Sequence, residues 1–245
     1  MSSYPDLRLD WCDYTAAKYA VMHWHYSRRM PAGKNNFIGV WEAGRFIGIV
    51  AFGSGAGNLT NGKRFGLKDN FEVVELTRVA LTKHISPVSK IISIALRLFR
   101  KHNPGVKLIL SLADPDKGHY GGIYQAGGWL YLGESSKTRE YQDKAGRWHH
   151  ERTVGKKNTK KHYGLPNQNC LMVRDAVAIR ELPGKHVYAM PLTDEIRASL
   201  IAKSKPYPKR VRSDTGDTPV AQTGEGGSTP TRTLQQSEVP CQPAN

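Results

Sequence analysis

Cysteine is nearly absent from the chain. Cys12, Cys170 and Cys241 are odd in number and far apart, so neither a disulfide framework nor a cysteine-rich zinc site is indicated. Long apolar runs are missing as well: none reaches the roughly 18 residues that would span a bilayer. The opening MSSYPDLRLDW also lacks the apolar segment of a secretory signal. A soluble, cytoplasmic protein without a membrane partner is expected. Acidic residues are scarce, 21 Asp and Glu against 36 Lys and Arg, which leaves a formal charge of +15 and a pI near 9.8. That balance favours a polyanionic partner, with nucleic acid and membrane surface as the two candidates. No internal repeat is present, and with 39% hydrophobic residues the 245-residue chain can bury one sizeable α/β core and still carry a tail.

The chemistry of the chain gathers around residues 111–133, SLADPDKGHYGGIYQAGGWLYLG. An apolar run from Val106 to Leu112 ends in Asp114-Pro115-Asp116, where Pro115 cannot continue a strand ladder. A short helix follows, with Tyr120 and Tyr124 on one face, and Gly127-Gly128 turns the chain into another strand. Ligands of open α/β sheets bind at such strand ends, so Asp114 is a site candidate.

Elsewhere the pattern predicts a first helix over 11–24, with Trp11, Tyr14, Tyr19 and Met22 at mixed helical spacing and Asp13 or Thr15 as caps. Residues 25–36 form a loop holding His25, Tyr26, Ser27, Arg28 and Arg29. Residues 37–55 are a hairpin turning at Glu42 to Arg45. The run 71–82 alternates as a strand that puts Glu75 with Val73 on one face and Arg78 on the other, and charges there are costly unless they face a polar site. Ser86 as N-cap and Pro87 as first helical residue open a helix reaching Asn103, with Ile91, Ile94, Ala95 and Leu98 buried. Its N-terminus offers partial positive charge to an anion such as a diphosphate, next to Ser86, Ser89 and Lys90. A second hairpin spans 139–155 with its turn at Asp143 to Gly146. Beyond it Lys156, Lys157, Lys160, Lys161 and His162 join Arg147 and Arg152 in a basic patch interleaved with Trp148 and Tyr163, a composition suited to phosphate contact and base stacking. Short strands in 170–177 and 186–192 precede a last helix capped at Thr193 or Asp194. From residue 204 on, Pro, Gly, Ser and Thr dominate and the segment reads as a disordered tail, leaving residues 1–203 as the folded domain.

The order of elements resembles the GNAT acyltransferase fold, a mixed central α/β sheet flanked by helices, most clearly in GGIYQAGGWLYLG. More specifically, HYSRRMP, ELTRVAL and DPDKGHYGGIYQAGGW together resemble the Mom proteins of Mu-like bacteriophages, over about residues 20 to 203. That resemblance implies a transferase that places a carbamoylmethyl (acetamido) group on the N6 amine of adenine in double-stranded phage DNA, protecting it from restriction. It implies iron as a metal. GNAT acetyltransferases hold the CoA diphosphate with a Q/R-x-x-G-x-G/A loop, whereas the corresponding stretch here, TKHISPVSK, has no glycine and Pro87 lacks an N–H. The small-molecule donor is therefore open, with acyl-CoA one candidate.

On this basis His25, Tyr26, Asp114 and Tyr124 are the expected reacting set, with Asp114 orienting or deprotonating the amine, His25 shuttling the proton and Tyr124 donating to the donor's oxygen. His25 and Asp114 equally suit a non-haem iron or manganese ion, the third ligand being open among His23, His119 and Asp116. Arg78, Ser86, Ser89 and Lys90 are expected at the donor, and Arg28, Arg147, Arg152, Lys156, Lys157, Lys160 and Lys161 at the DNA. An extruded adenine would stack on Trp129, Tyr131 or the Trp148 hairpin. The other readings are an N-acyltransferase acting on a small-molecule or protein amine and a non-catalytic DNA-binding protein.

Overall fold

The computed structural model of the protein describes residues 5–55, 57–155, 161–162, 165–166 and 171–209. The chain runs through β1 (Leu7–Trp11), α1 (Tyr14–Trp24), β2 (Asn35–Glu42), β3 (Arg45–Gly53), β4 (Val73–Leu81), α2 (Val88–His102), β5 (Leu108–Ala113), α3 (Gly122–Ala126) and β6 (Leu130–Glu134). Then follow β7 (Thr138–Gln142), β8 (Trp148–His150), β9 (Lys161–His162), β10 (Leu165–Pro166), β11 (Ala178–Leu182), β12 (His186–Pro191) and α4 (Asp194–Ile201). The central sheet has seven strands in the order β1-β2-β3-β4-β5-β12-β6, and β11-β7-β8 form a smaller one. This is the mixed α/β sheet with flanking helices that the sequence predicts.

Every neighbour pair in the central sheet is antiparallel except β4 and β5, which α2 connects as a parallel pair. Their pairing covers only Val73–Leu76 against Leu108–Ser111, although β4 continues to Leu81 and β5 to Ala113. The two strands therefore part beyond Leu76 and Ser111 and leave a notch in the middle of the sheet.

One face of the sheet carries α2 and α3 over a core of Phe52, Leu76, Ile91, Phe99, Ile109 and Trp129. Each such fully buried side chain contributes about 1.5–3 kcal/mol. On the other face α4 covers Leu108 and Leu110, and α1 covers Ile49, Ala51 and Ala80. The notch opens between them.

Several local expectations hold for their stated reasons. Asp13 caps α1 by accepting from Ala16 N at 2.7 Å. Thr193 caps α4, and Ala43 and Gly44 make the β2–β3 turn with φ of 49° and 76°, the doubly left-handed geometry of a two-residue hairpin.

Others are corrected. The aromatic side of α1 faces outward, with Tyr14, Tyr19 and Met22 exposed. Ala16, Ala17, Ala20 and Val21 are buried instead, because only small side chains let the helix lie close to the sheet. Trp11 belongs to β1, which the sequence reading folded into the helix. Helix α2 starts one residue later than expected, with Pro87 rather than Ser86 at the cap and no side-chain cap bond. Its buried positions are Ile91, Ile92, Ala95 and Phe99. Residues 173–175 form a 3-10 turn where a strand was expected.

At the C-terminal end, residues 204–209 return along β6: Lys205 N donates to Tyr131 O and Tyr207 Oη to Trp129 O, both at 2.8 Å. The remainder of the expected tail, from residue 210, lies outside the described residues.

Candidate active site

The notch owes its lining to a β-bulge. Ala51 pairs with Arg78 but the next residue, Phe52, pairs with Leu76, so Thr77 is extra and the alternation resets. Glu75 and Arg78, which strict alternation sends to opposite faces, thereby share the face that carries α1. The sequence reading, which separated them, is corrected by that one residue. The Thr77 hydroxyl is held by Ala51 O and Asn35 Oδ1 at 3.2 and 3.0 Å. Gly55, at φ 68°, lies so close to Glu75 that a Cβ there would collide with its carboxylate.

Arg78 reaches from the bulge to the loop after α1, donating Nε to Arg29 O at 3.2 Å and NH1 to Thr77 O at 2.6 Å. Burial lowers its pKa, an effect opposed by Tyr26 and Glu75. It anchors the segment that carries His25 and Tyr26. Arg28 in that segment has φ 45°, a left-handed conformation unusual for a non-glycine residue, closed by Arg28 N donating to His25 O.

His25 sits at the C-cap of α1, its ring tilted against Tyr26 with centroids 4.3 Å apart, and Tyr26 in turn lies 5.1 Å from the His119 ring. Burial, then the charges of Arg78 and His119, push the His25 pKa down to about 3. The imidazole is neutral at physiological pH. Its Nδ1 accepts from Ser27 N at 3.1 Å and lies 2.8 Å from Ser27 Oγ, so the ring proton is on Nε2. A ring in that state donates a hydrogen bond through Nε2 and is a poor base. Burial also lowers the His119 pKa, against the pull of Asp114.

The floor of the notch is Ser111, whose Oγ lies 3.1 Å from Leu76 O and 2.7 Å from Tyr124 Oη. The carbonyl can only accept, so with the Ser111 proton directed to Leu76 O the Tyr124 hydroxyl donates to Ser111 Oγ, and Ser111 and Tyr124 form a single unit. Tyr124 is 6% exposed, and burial pushes its pKa up to about 12 despite the Ser111 bond. It is a protonated structural phenol within electrostatic reach of Tyr26 and Glu75.

Asp114 borders this cluster through His119, whose backbone N–H donates to Asp114 O at 3.0 Å, but its carboxylate is engaged elsewhere. Its carboxylate caps the 3-10 turn at Asp116 N, 3.1 Å away, and pairs with Lys185 Nζ, also at 3.1 Å. Nor do the candidate metal ligands converge. His23 points outward against Tyr19, Asp116 is tied to Lys117, and among the described residues no three His, Cys, Asp or Glu side chains gather. His25 and Asp114 as placed do not compose an iron site.

The residues around the start of α2 do not fit a diphosphate. Glu42, 6% exposed, points its carboxylate at that corner and accepts from Ile85 N at 2.9 Å and Ser86 N at 2.8 Å. Burial would raise its pKa, but these N–H groups and His84 outweigh burial and hold it below the usual carboxylate range. Glu42 thus takes the N–H groups of Ile85 and Ser86 just before the helix, and Pro87 offers none. Ser86 is fully buried, Ser89 half-buried and Lys90 exposed.

Of the expected DNA contacts, Arg28 is exposed, Arg147 directly precedes β8 of the small sheet and Arg152 lies in the 3-10 turn that follows it. Arg147 is tied to Asp143 at 2.9 Å. Lys156, Lys157 and Lys160 lie outside the described residues, and only the backbone pairing of Lys161 with Pro166 is described. Trp129 and Tyr131, at 1% and 6% exposure, are core residues with no face to offer a base.

Sequence reasoning missed Ser111, visible as the one polar residue in LILSLA, and Glu42, whose partners are more than forty residues away. No helix among the described residues is long and apolar enough to cross a membrane.

Residues 6–209 match the model of the Mom protein family, and the chain belongs to it. The "Methylcarbamoylase mom" of Escherichia phage Mu is 28% identical over 210 residues, covering 83% of this chain and 84% of its own. Among solved structures, FeeM, an N-acyl amino acid synthase from uncultured soil microbes, aligns with 83% of this chain and 99% of its own at 12% identity and a TM-score of 0.42. The spermidine N-acetyltransferase of Vibrio cholerae covers 79% of this chain and 98% of its own at 9% identity and a TM-score of 0.40.

Proposed function

We propose that the protein is a DNA-modifying transferase that places a carbamoylmethyl group on the N6 amine of adenine, in phage DNA, where the added group blocks restriction. Membership in the Mom family supports the reaction class. The observation that carries the site is the convergence of His25, Tyr26, Glu75, Arg78 and His119 where β4 and β5 separate.

The reaction forms a bond from N6 to the CH2 carbon of the donor. The leaving group departs with the electron pair of its bond to that carbon, and one N6 proton is lost. Adenine N6 is a weak nucleophile because its lone pair is delocalised into the ring, so its partners matter. Glu75 is the carboxylate on the notch face and takes the N6 proton, while the Arg78 guanidinium holds the surrounding loop and offsets the charge. His25, with its proton on Nε2, donates to the carbamoyl oxygen or the leaving group instead of acting as a shuttle. Tyr26, exposed and tilted against both histidine rings, offers the open part of its ring to the extruded base. Asp114 orients the loop that carries His119.

The donor is a small molecule bearing a carbamoylmethyl group on a good leaving group. The occupied corner at Glu42 weighs against acyl-CoA and hence against the N-acyltransferase reading. Mass spectrometry of nucleosides from plasmid DNA of expressing cells tests the proposal. A deoxyadenosine heavier by one carbamoylmethyl group supports it, and unmodified DNA from cells rich in folded protein refutes it.

A further inference from the structure

We infer that the protein docks duplex DNA through the outer face of α1 and the 25–34 loop, rather than through the basic patch around the small sheet. The inference rests on the proposed function and concerns the surface that serves it.

Between Asp13 and Glu42 the chain has no acidic residue, while Lys18, Arg28, Arg29 and Lys34 fall in that interval. All four are exposed. None forms an ion pair with a described residue. The small sheet is different, because its cations are largely neutralised within the fold: Arg147 by Asp143, Arg180 by Glu140 and Lys137 by Glu181, at 2.9, 2.6 and 2.9 Å. A cation held by a carboxylate releases few counterions when a phosphate arrives, so Lys18, Arg28, Arg29 and Lys34 each attract a phosphate more strongly than these paired cations do.

The same face exposes rings. Tyr14 is 57% exposed and Tyr26 55%, with Tyr19 and Met22 between them, and His23 stacks on Tyr19 at 4.2 Å. A helix face with apolar rings and free cations, and no carboxylate, matches the backbone and base edges of DNA better than it matches water. It also runs without interruption into His25 and Tyr26. Adenine displays N6 in the major groove, so a surface that leads straight to the reacting centre must meet the duplex from that side. Eleven residues of helix extend about 16 Å, and a helix is narrow enough for that groove.

The test is fluorescence anisotropy of the full chain with a labelled adenine-containing duplex across a range of salt. Each phosphate contact contributes about 0.9 to the slope of log K against log salt. The double variant Lys18→Ala with Lys34→Ala should lower that slope by about 2 units, Tyr19→Ala should weaken binding without changing it, and Arg147→Ala should leave both as they are. A slope unchanged in the double variant but flattened in Arg147→Ala with Arg152→Ala overturns the inference. So does a double variant that loses only binding to phosphatidylserine vesicles, which would make this face a membrane contact. Nucleoside mass spectrometry of the same variants separates the two claims: modified DNA with α1-independent binding sinks only the docking face, whereas no modification by the wild type sinks the function beneath it.

Discussion

Replacing His25 by Gln removes a titrating group whose pKa is about 3 in the folded chain and near 6.5 in the unfolded one. The folded-state value is depressed, so as pH falls below 6.5 the unfolded chain binds a proton that the folded chain refuses. The stability associated with neutral His25 is complete above about pH 7 and is lost progressively down to about pH 3. Between pH 7.5 and 5.0 the loss is RT ln[(1 + 10^1.5)/(1 + 10^−2)], about 2 kcal/mol. Gln retains an acceptor for Ser27 N and has no proton to take up. His150, also lowered by burial, titrates in both proteins and cancels, and making the comparison in a His119→Gln background removes the imidazole whose charge acts on His25. Urea unfolding of the two metal-free proteins at the two pH values should therefore show the one with His25 losing about 2 kcal/mol more than His25→Gln. Equal losses, or an imidazole resonance of His25 that titrates near 6.5, would refute the reasoning that the ring is neutral and confined.

Gly121 has φ 77° and a Cβ there would strike the Tyr188 ring, so Gly121→Ala should cost about 2–5 kcal/mol in chemical denaturation. Glu42→Ala strands two N–H donors and should cost about 2–4 kcal/mol. Because the Glu42 pKa is depressed, the wild type should keep that contribution above the unfolded carboxylate pKa and lose it in acid, visible as a steeper fall of melting temperature with pH than in the variant. Acetyl-CoA at about 1 mM should leave the melting temperature unchanged, since Glu42 places a carboxylate on the Ile85 and Ser86 N–H groups at the start of α2; a rise of several degrees would indicate a Kd well below that concentration.

Local chemistry made much of the fold legible. The Ala43-Gly44 turn, the Asp13 and Thr193 caps and the apolar strand ending at Asp114 each depend on residues close in sequence. The site was legible in its parts, since His25, Tyr26 and Arg78 are polar where the pattern gives them no reason to be. Their assembly was not. A bulge at Thr77 leaves no trace in the alternation of ELTRVAL, yet it decides which face Arg78 shares with Glu75. Asp114 looked free because Lys185 lies 71 residues downstream, just before β12. The mixed aromatic spacing of α1 did not say which face is buried, and close approach to Ile49, Ala51 and Ala80 selects the alanines. Each miss is a long-range pairing that overrides a local preference.

The central claim is that the notch between β4 and β5 performs the modification, with Glu75 as the base. The direct measurement is the fraction of modified deoxyadenosine, by nucleoside mass spectrometry, in DNA from cells expressing wild type, Glu75→Gln or Asp114→Asn at matched levels of folded protein. The account predicts that Glu75→Gln lowers the modified fraction about 100-fold or more, while Asp114→Asn retains a substantial part of it. Full modification by Glu75→Gln with none by Asp114→Asn would contradict it and move the reacting carboxylate to the end of β5.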